Sequence, residues 1–136
     1  MKQIDTNSAM DIIHKYSVSK TDFNEDEIVE YSEALEYMLE TDFMTPEAWM
    51  FNLGDFYRRI GEYDLALKYF YLCLDENCEV AYIGLAHTYR RMKEFDKAYE
   101  YYLLARENGF KNAAGYIDDM QKERILWREE EFNGIG

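Results

Sequence analysis

Through most of the chain large apolar residues recur at intervals of three and four, the spacing that gathers side chains along one side of an α-helix. Between Pro46 and about Ile60 the series is Trp49/Met50, Leu53, Phe56/Tyr57 and Ile60. Thr45 is placed to act as N-cap, Pro46 to open the first turn, and Glu47 to meet the positive end of the helix dipole. Gly61 then offers the left-handed residue on which a helix stops. A second helix, from about Tyr63 to Leu74, carries Leu67, Phe70/Tyr71 and Leu74 on one side. The next two segments, about Glu79–Met92 and Phe95–Asn108, follow the same plan and stop at Gly109.

The likeness between the two pairs is a true internal repeat. Displacing the sequence by 32 positions lays Met50, Leu53, Gly54 and Tyr57 over Tyr82, Leu85, Ala86 and Tyr89, and Arg58-Arg59 over Arg90-Arg91. In the same register Tyr63-Asp64 falls on Phe95-Asp96, Ala66 on Ala98, Phe70 on Tyr102 and Cys73 on Ala105. Each copy is therefore expected to be one antiparallel helical hairpin. Small residues are expected where its helices cross, Gly54 opposite Ala66 and Ala86 opposite Ala98, so that the axes approach toward the short end of the ~8–10 Å range.

These residues resemble the tetratricopeptide repeat, whose pattern is W-x2-L-G-x2-Y followed by A-x3-F and P. Here it reads Met50-x2-Leu53-Gly54-x2-Tyr57 with Ala66-x3-Phe70, then Tyr82-x2-Leu85-Ala86-x2-Tyr89 with Ala98-x3-Tyr102. The leading Trp is replaced by Met or Tyr, the closing Pro is missing from both copies, and the period falls short of the usual ~34. The run Ala105–Gly109 followed by Asn112-Ala113-Ala114 also looks like a junction of the related Sel-like solenoids. The resemblance implies an all-α, right-handed, antiparallel helical-hairpin solenoid of about seven helices, a single domain over residues 1–136, with repeats at 46–77 and 78–109.

Two repeats cannot bury both of their own faces, so the flanks are expected to cover them. Residues 8–44 read as a degenerate hairpin. Asn24-x-x-Glu27 is a capping box that opens a helix to about Glu40, with Ile28, Tyr31, Leu35, Met38 and Leu39 as its apolar side. Upstream, Ser8 is placed to cap a shorter helix carrying Met10, Ile13 and Tyr16. After Gly109, residues 112–131 read as a capping helix with Ala113, Ile117, Met120 and Trp127 near one line. Ile125-Leu126-Trp127 cannot all face one partner. Either that helix is clasped on two sides or this end joins a second molecule as a homodimer. Phe132–Gly136 read as a frayed tail.

Composition narrows the function. Hydrophobic residues make up 48% and aromatics 17%, enough for a packed core. A formal net charge of −13 argues against nucleic acid and anionic membranes, both of which need a basic face. The opening MKQIDTNSAM lacks the apolar run of a signal peptide and no segment nears the ~20 apolar residues of a membrane span, so a cytoplasmic protein is expected. Cys73 and Cys78 have no third Cys or His close by and read as structural thiols rather than metal ligands. No phosphate loop, nucleophile elbow or H-E-x-x-H pair is present, and His14 and His87 stand alone, so neither catalysis, cofactor nor metal is expected.

Charge is distributed unevenly. Residues 1–46 hold three basic and eleven acidic side chains, whereas four of the seven arginines form the repeated pairs Arg58-Arg59 and Arg90-Arg91. In the tetratricopeptide family the first helix of each repeat lines a concave groove that takes up peptides. By position the resemblance implies Phe51, Asp55 and Arg58 in one repeat and Ile83, His87 and Arg90 in the next as the partner-binding residues. An apolar rung, Phe51 and Ile83, would then lie beside a basic rung, Arg58 and Arg90, suited to an acidic or carboxylate-ended peptide. The competing reading is that these arginines pair with the chain's own acidic surplus. The Asn used by chaperone-binding members of the family is replaced by Asp55 and His87, which does not support capture of a chaperone tail. The expected function is a protein–protein interaction module or adaptor. The alternatives are a small secretion-type chaperone, an immunity or antitoxin protein, and, in a different class, an enzyme or its regulatory subunit.

Overall fold

The structure, a computed structural model, describes residues 5–16, 23–41 and 45–135. Seven helices and no strand occur among the described residues: α1 (Thr6–Tyr16), α2 (Glu25–Glu40), α3 (Pro46–Arg59), α4 (Tyr63–Asp75), α5 (Ala81–Arg91), α6 (Phe95–Glu107) and α7 (Ala113–Ile135). They fall into two compact units, Met1–Cys78 and Glu79–Gly136.

Helix boundaries follow local chemistry. The Asn24–Glu27 capping box is complete: the Glu27 amide donates to Asn24 Oδ1 at 2.8 Å and the Asn24 amide to Glu27 Oε1 at 3.1 Å. At α1 the cap is Asp5 rather than Ser8, whose amide donates to Asp5 Oδ1 at 2.7 Å. Thr45 makes no side-chain cap bond, and Pro46 opens α3 by its fixed φ alone. The second repeat's first helix begins at Ala81, two residues later than Glu79. Phe132 to Ile135, read above as a frayed tail, continue α7.

Four successive helices end the same way. After α3 the Glu62 amide donates to the Tyr57 carbonyl, and the Cys78, Glu94 and Phe110 amides donate to Cys73, Tyr89 and Ala105 after α4, α5 and α6. These six-to-one bonds, at 2.9 to 3.0 Å, close Schellman motifs around a left-handed residue. That residue is Gly61, Asn77, Lys93 or Gly109.

In the first unit α1, α2 and α3 share one core: Ala9, Ile13 and Tyr16 meet Tyr31, Ala34, Leu35 and Met38, and these meet Trp49, Leu53 and Phe56. The Leu39 side chain, expected on that face, lies outside the described residues. Aromatic edges order the packing, with Phe56 set edge-on to Tyr31 at 4.7 Å and to Phe23 at 5.5 Å. Tyr57 donates to Glu36 Oε1 at 3.5 Å, and burial followed by that carboxylate pushes its hydroxyl up to about 12, so it stays a donor at neutral pH. Helix α4 contributes Ala66, Phe70 and Cys73. Cys73 and Cys78 are free thiols, with Cys73 Sγ donating to the Glu47 carbonyl at 3.5 Å. They occupy the third-from-last and second-beyond positions of the α4 Schellman motif, where apolar contact is usual.

The crossing of α3 and α4 depends on a missing side chain at Gly54, whose nearest neighbour is Phe70. The Phe70 ring lies over Gly54, and a Cβ there would stand 2.8 Å from Cε1.

In the second unit α5 supplies Leu85, Ala86 and Tyr89, α6 supplies Phe95, Ala98, Tyr102 and Ala105, and α7 supplies Ala113 and Met120, all buried. The buried Thr88 hydroxyl donates to the Gly84 carbonyl at 2.7 Å.

Two glycine substitutions should therefore act in opposite directions. Gly54→Ala gains about 1 kcal/mol of helix propensity but incurs roughly 1–3 kcal/mol of overpacking against Phe70, a net loss. Gly115→Ala in α7 meets nothing within 4 Å and should gain roughly 0.5–1 kcal/mol. Denaturant unfolding of both variants measures the contrast, and a stabilised Gly54→Ala would contradict the packing described.

Candidate functional site

Each unit presents one face of a repeat's first helix. On α3, Phe51 is half-buried with its ring 5.5 Å from that of Phe70. One turn on, Asp55 holds both neighbouring arginines: Arg58 Nη2 is 2.6 Å from Oδ1 and Arg59 Nε is 3.2 Å from Oδ2. The two are not equivalent. The Arg59 side chain is 7% exposed and Arg58 18%. Arg59 reaches back to the first hairpin, donating to the Tyr16 carbonyl at 3.2 Å and the Tyr31 hydroxyl at 3.4 Å. Its guanidinium also lies 5.7 and 5.8 Å from the Phe23 and Tyr31 ring centroids. Arg59 thus fastens α1 and α2 to α3, a role its sequence position beside Arg58 did not signal.

On α5, Ile83, His87 and Arg90 form a stripe turned toward α7. The His87 Nδ1 is 2.6 Å from the Tyr102 hydroxyl, and its ring stands edge-on to Tyr116 at 4.7 Å. Arg90 Nε donates to Glu123 Oε2 at 2.6 Å, and Lys93 Nζ donates to the other oxygen at 3.1 Å. Burial opposes charge on Glu123, but the bonds from Arg90 and Lys93 outweigh it and hold the carboxyl below its ordinary value. Beside Ile83 the stripe stays open. A concavity of about 470 Å³ is lined there by Val80, Ile83, Phe110, Lys111, Asn112 and Tyr116.

The structure thus gives both expected basic side chains carboxylate partners within their own units, Asp55 for Arg58 and Glu123 for Arg90. Of the six expected residues, Ile83 lines an open concavity. Phe110, Lys111 and Tyr116, which line it too, were missed because they belong to the turn and helix after the repeat. Lys111 is exposed, and among the described residues it has no ion pair.

The far end of α7 behaves differently. Trp127 packs on Phe95 at 5.6 Å between ring centroids, and Arg124 pairs with Asp96 at 2.8 Å. Ile125 and Leu126, by contrast, are 58% and 59% exposed. Among the described residues no group of His, Cys, Asp and Glu is placed to hold a metal ion, and no helix is long and apolar enough to cross a membrane.

Paired helices closed by left-handed turns, with a small residue at the α3–α4 crossing, define a helical-repeat protein. The family model of the tetratricopeptide repeat matches residues 48–77 and 81–114, and these two segments are tetratricopeptide repeats. No curated protein and no solved structure gives a significant match.

Removing Arg59 should be far costlier than removing Arg58. Arg59→Ala leaves Asp55 half-paired and unfastens α1 and α2, an expected loss of roughly 3 kcal/mol, against about 1 kcal/mol or less for the more exposed Arg58→Ala. Equal losses in denaturant unfolding would refute the tether.

Acid should act on Glu123. Its folded pKa lies below its unfolded one, so its contribution is fully present above the ordinary glutamate value of about 4.3 and is lost as pH falls through the lower folded value. Glu123→Gln should flatten this part of the acid limb of stability against pH, and an unchanged limb would show that Arg90 does not depend on it.

Proposed function

We propose that this chain is a cytoplasmic protein-binding adaptor that holds an apolar-anchored peptide segment of its partner in the concavity beside Ile83 and catalyses no reaction. Tetratricopeptide repeats generally mediate protein–protein interaction, which is the class of function these two segments carry. The observation that supports the position is the concavity itself: it is lined by Val80, Ile83, Phe110 and Tyr116 together with polar Lys111 and Asn112. Such a mixture of apolar lining and few polar groups suits a side chain taken out of water beside a charged or polar end.

An acidic partner fits this reading through Lys111 rather than Arg90. A carboxylate approaching Arg90 would compete with Glu123, which holds it at 2.6 Å, whereas the Lys111 ammonium is exposed. Phe51, Asp55 and Arg58 enter as the equivalent stripe of the first repeat, with Asp55 shared between Arg58 and Arg59.

Capture from an array of peptides with an apolar residue next to a carboxylate tests both parts. Ile83→Asp should weaken capture by about tenfold or more, equal to roughly 1.4 kcal/mol, and Lys111→Glu should selectively weaken the acidic peptides. Wild-type capture by a correctly folded Ile83→Asp variant would remove the concavity from the function.

A further inference from the structure

The outer side of α7 carries a pattern that the peptide-binding reading does not use. Lys122, Ile125, Leu126 and Glu129 stand at i, i+3, i+4 and i+7, the spacing of a single stripe. Met120 on the same helix is buried, and Trp127 and Arg124 pack on Phe95 and Asp96 of α6. The stripe therefore lies on the side away from the unit's own core. Its two central residues are 58% and 59% exposed, and Phe132, seven positions after Ile125, is 79% exposed. Lys122 and Glu129 are both exposed, and among the described residues neither forms an ion pair.

The stripe is complementary to itself when reversed. Lys122 lies three positions before Ile125, and Glu129 three positions after Leu126. An antiparallel second copy whose two-fold axis passes between Ile125 and Leu126 therefore sets Ile125 against Leu126, and Lys122 against Glu129, twice each. Both contacts are favourable and neither occurs in a parallel pairing, where like residues would meet. A two-fold axis needs this self-complementarity, with one patch serving both partners.

We infer that the protein pairs with a second copy of itself through α7, antiparallel, with Ile125 and Leu126 as the apolar centre and the Lys122–Glu129 pairs fixing the register. One helix pair buries less than the ~800 Å² per partner of a standard interface, so the dimer is weak and concentration-dependent. The ion pairs are exposed and contribute mainly to register. Each copy carries a net charge of −13, so association belongs at physiological salt, where repulsion between copies is screened.

Sedimentation equilibrium of the full chain over a dilution series tests this. Wild type should pass from monomer to dimer with concentration, and Leu126→Glu, a surface change that leaves the helix content intact, should remain monomeric. Lys122→Glu and Glu129→Lys should each weaken pairing several-fold, because each sets like charges opposite one another. Mixing these two variants should restore it, since positions 122 and 129 then carry opposite charges at both contacts across the axis. A chain that stays monomeric throughout leaves the face to a different protein and overturns the proposal. A dimer that survives Leu126→Glu overturns it as well, and a mixture that fails to recover overturns the antiparallel register.

Discussion

A left-handed residue stands at the end of each of the four repeat helices: Gly61 (φ 86°), Asn77 (φ 61°), Lys93 (φ 64°) and Gly109 (φ 95°). Their spacing is sixteen residues each time, so one helix and one turn make a module and two modules make the 32-residue repeat. Each turn satisfies two carbonyls that the helix would otherwise leave bare, through the amides of the left-handed residue and the one after it. The reversal returns the chain along its own helix, and the hairpin crossing, the core and the side-chain stripes follow from that return. Two of the four positions use residues with a Cβ. Lys93 accepts a conformation that costs an L-residue roughly 1–2 kcal/mol, and its ammonium meets Glu123 across the unit at 3.1 Å.

The fold was largely legible because period and small residues act over short distances. The shift that laid Leu53 on Leu85 also laid Ala66 on Ala98, and Gly61 and Gly109 announced their turns by composition. Asn77 and Lys93 did not, since a left-handed Lys has no signature in a single sequence. Helix starts resting on side-chain caps were read unevenly, since the Asn24–Glu27 box formed as expected and two others did not. Ser8 and Thr45 are both good cap residues, but Asp5 stood one turn earlier and Pro46 needed no cap. At the α3–α4 crossing the need for a small residue at 54 was evident, whereas its cause, the Phe70 ring, depends on how far a rotamer reaches.

The expected residues lie on α3 and α5 as their spacing placed them, but the partners of their charged groups were not legible. Arg58 and Arg90 were expected to offer guanidinium groups to a ligand, and the structure pairs each of them, and Arg59 as well, with an internal carboxylate. That outcome follows from the chain's surplus of 28 acidic over 15 basic residues, which leaves few cations unclaimed. Sequence spacing identifies which residues share a helix face, but Asp55 and Glu123 reach these arginines by local side-chain geometry and by the path of α7. The proposed recognition therefore rests on shape and apolar contact, with Lys111 as an exposed cation lining the same concavity.

The Arg59 tether has a consequence for how the first unit holds together. Most of its bonds join residues close in sequence, but the one from Arg59 to the Tyr16 carbonyl closes a separation of 43 residues. Closing that long loop costs more entropy than closing the hairpins, and the Arg59 bonds offset that cost together with the packing of α2 on α3. The hairpin of α1 and α2 is thus held to α3 twice over, by the core that Tyr31, Leu35 and Met38 share with Leu53 and Phe56 and by this one polar fastening across the sequence.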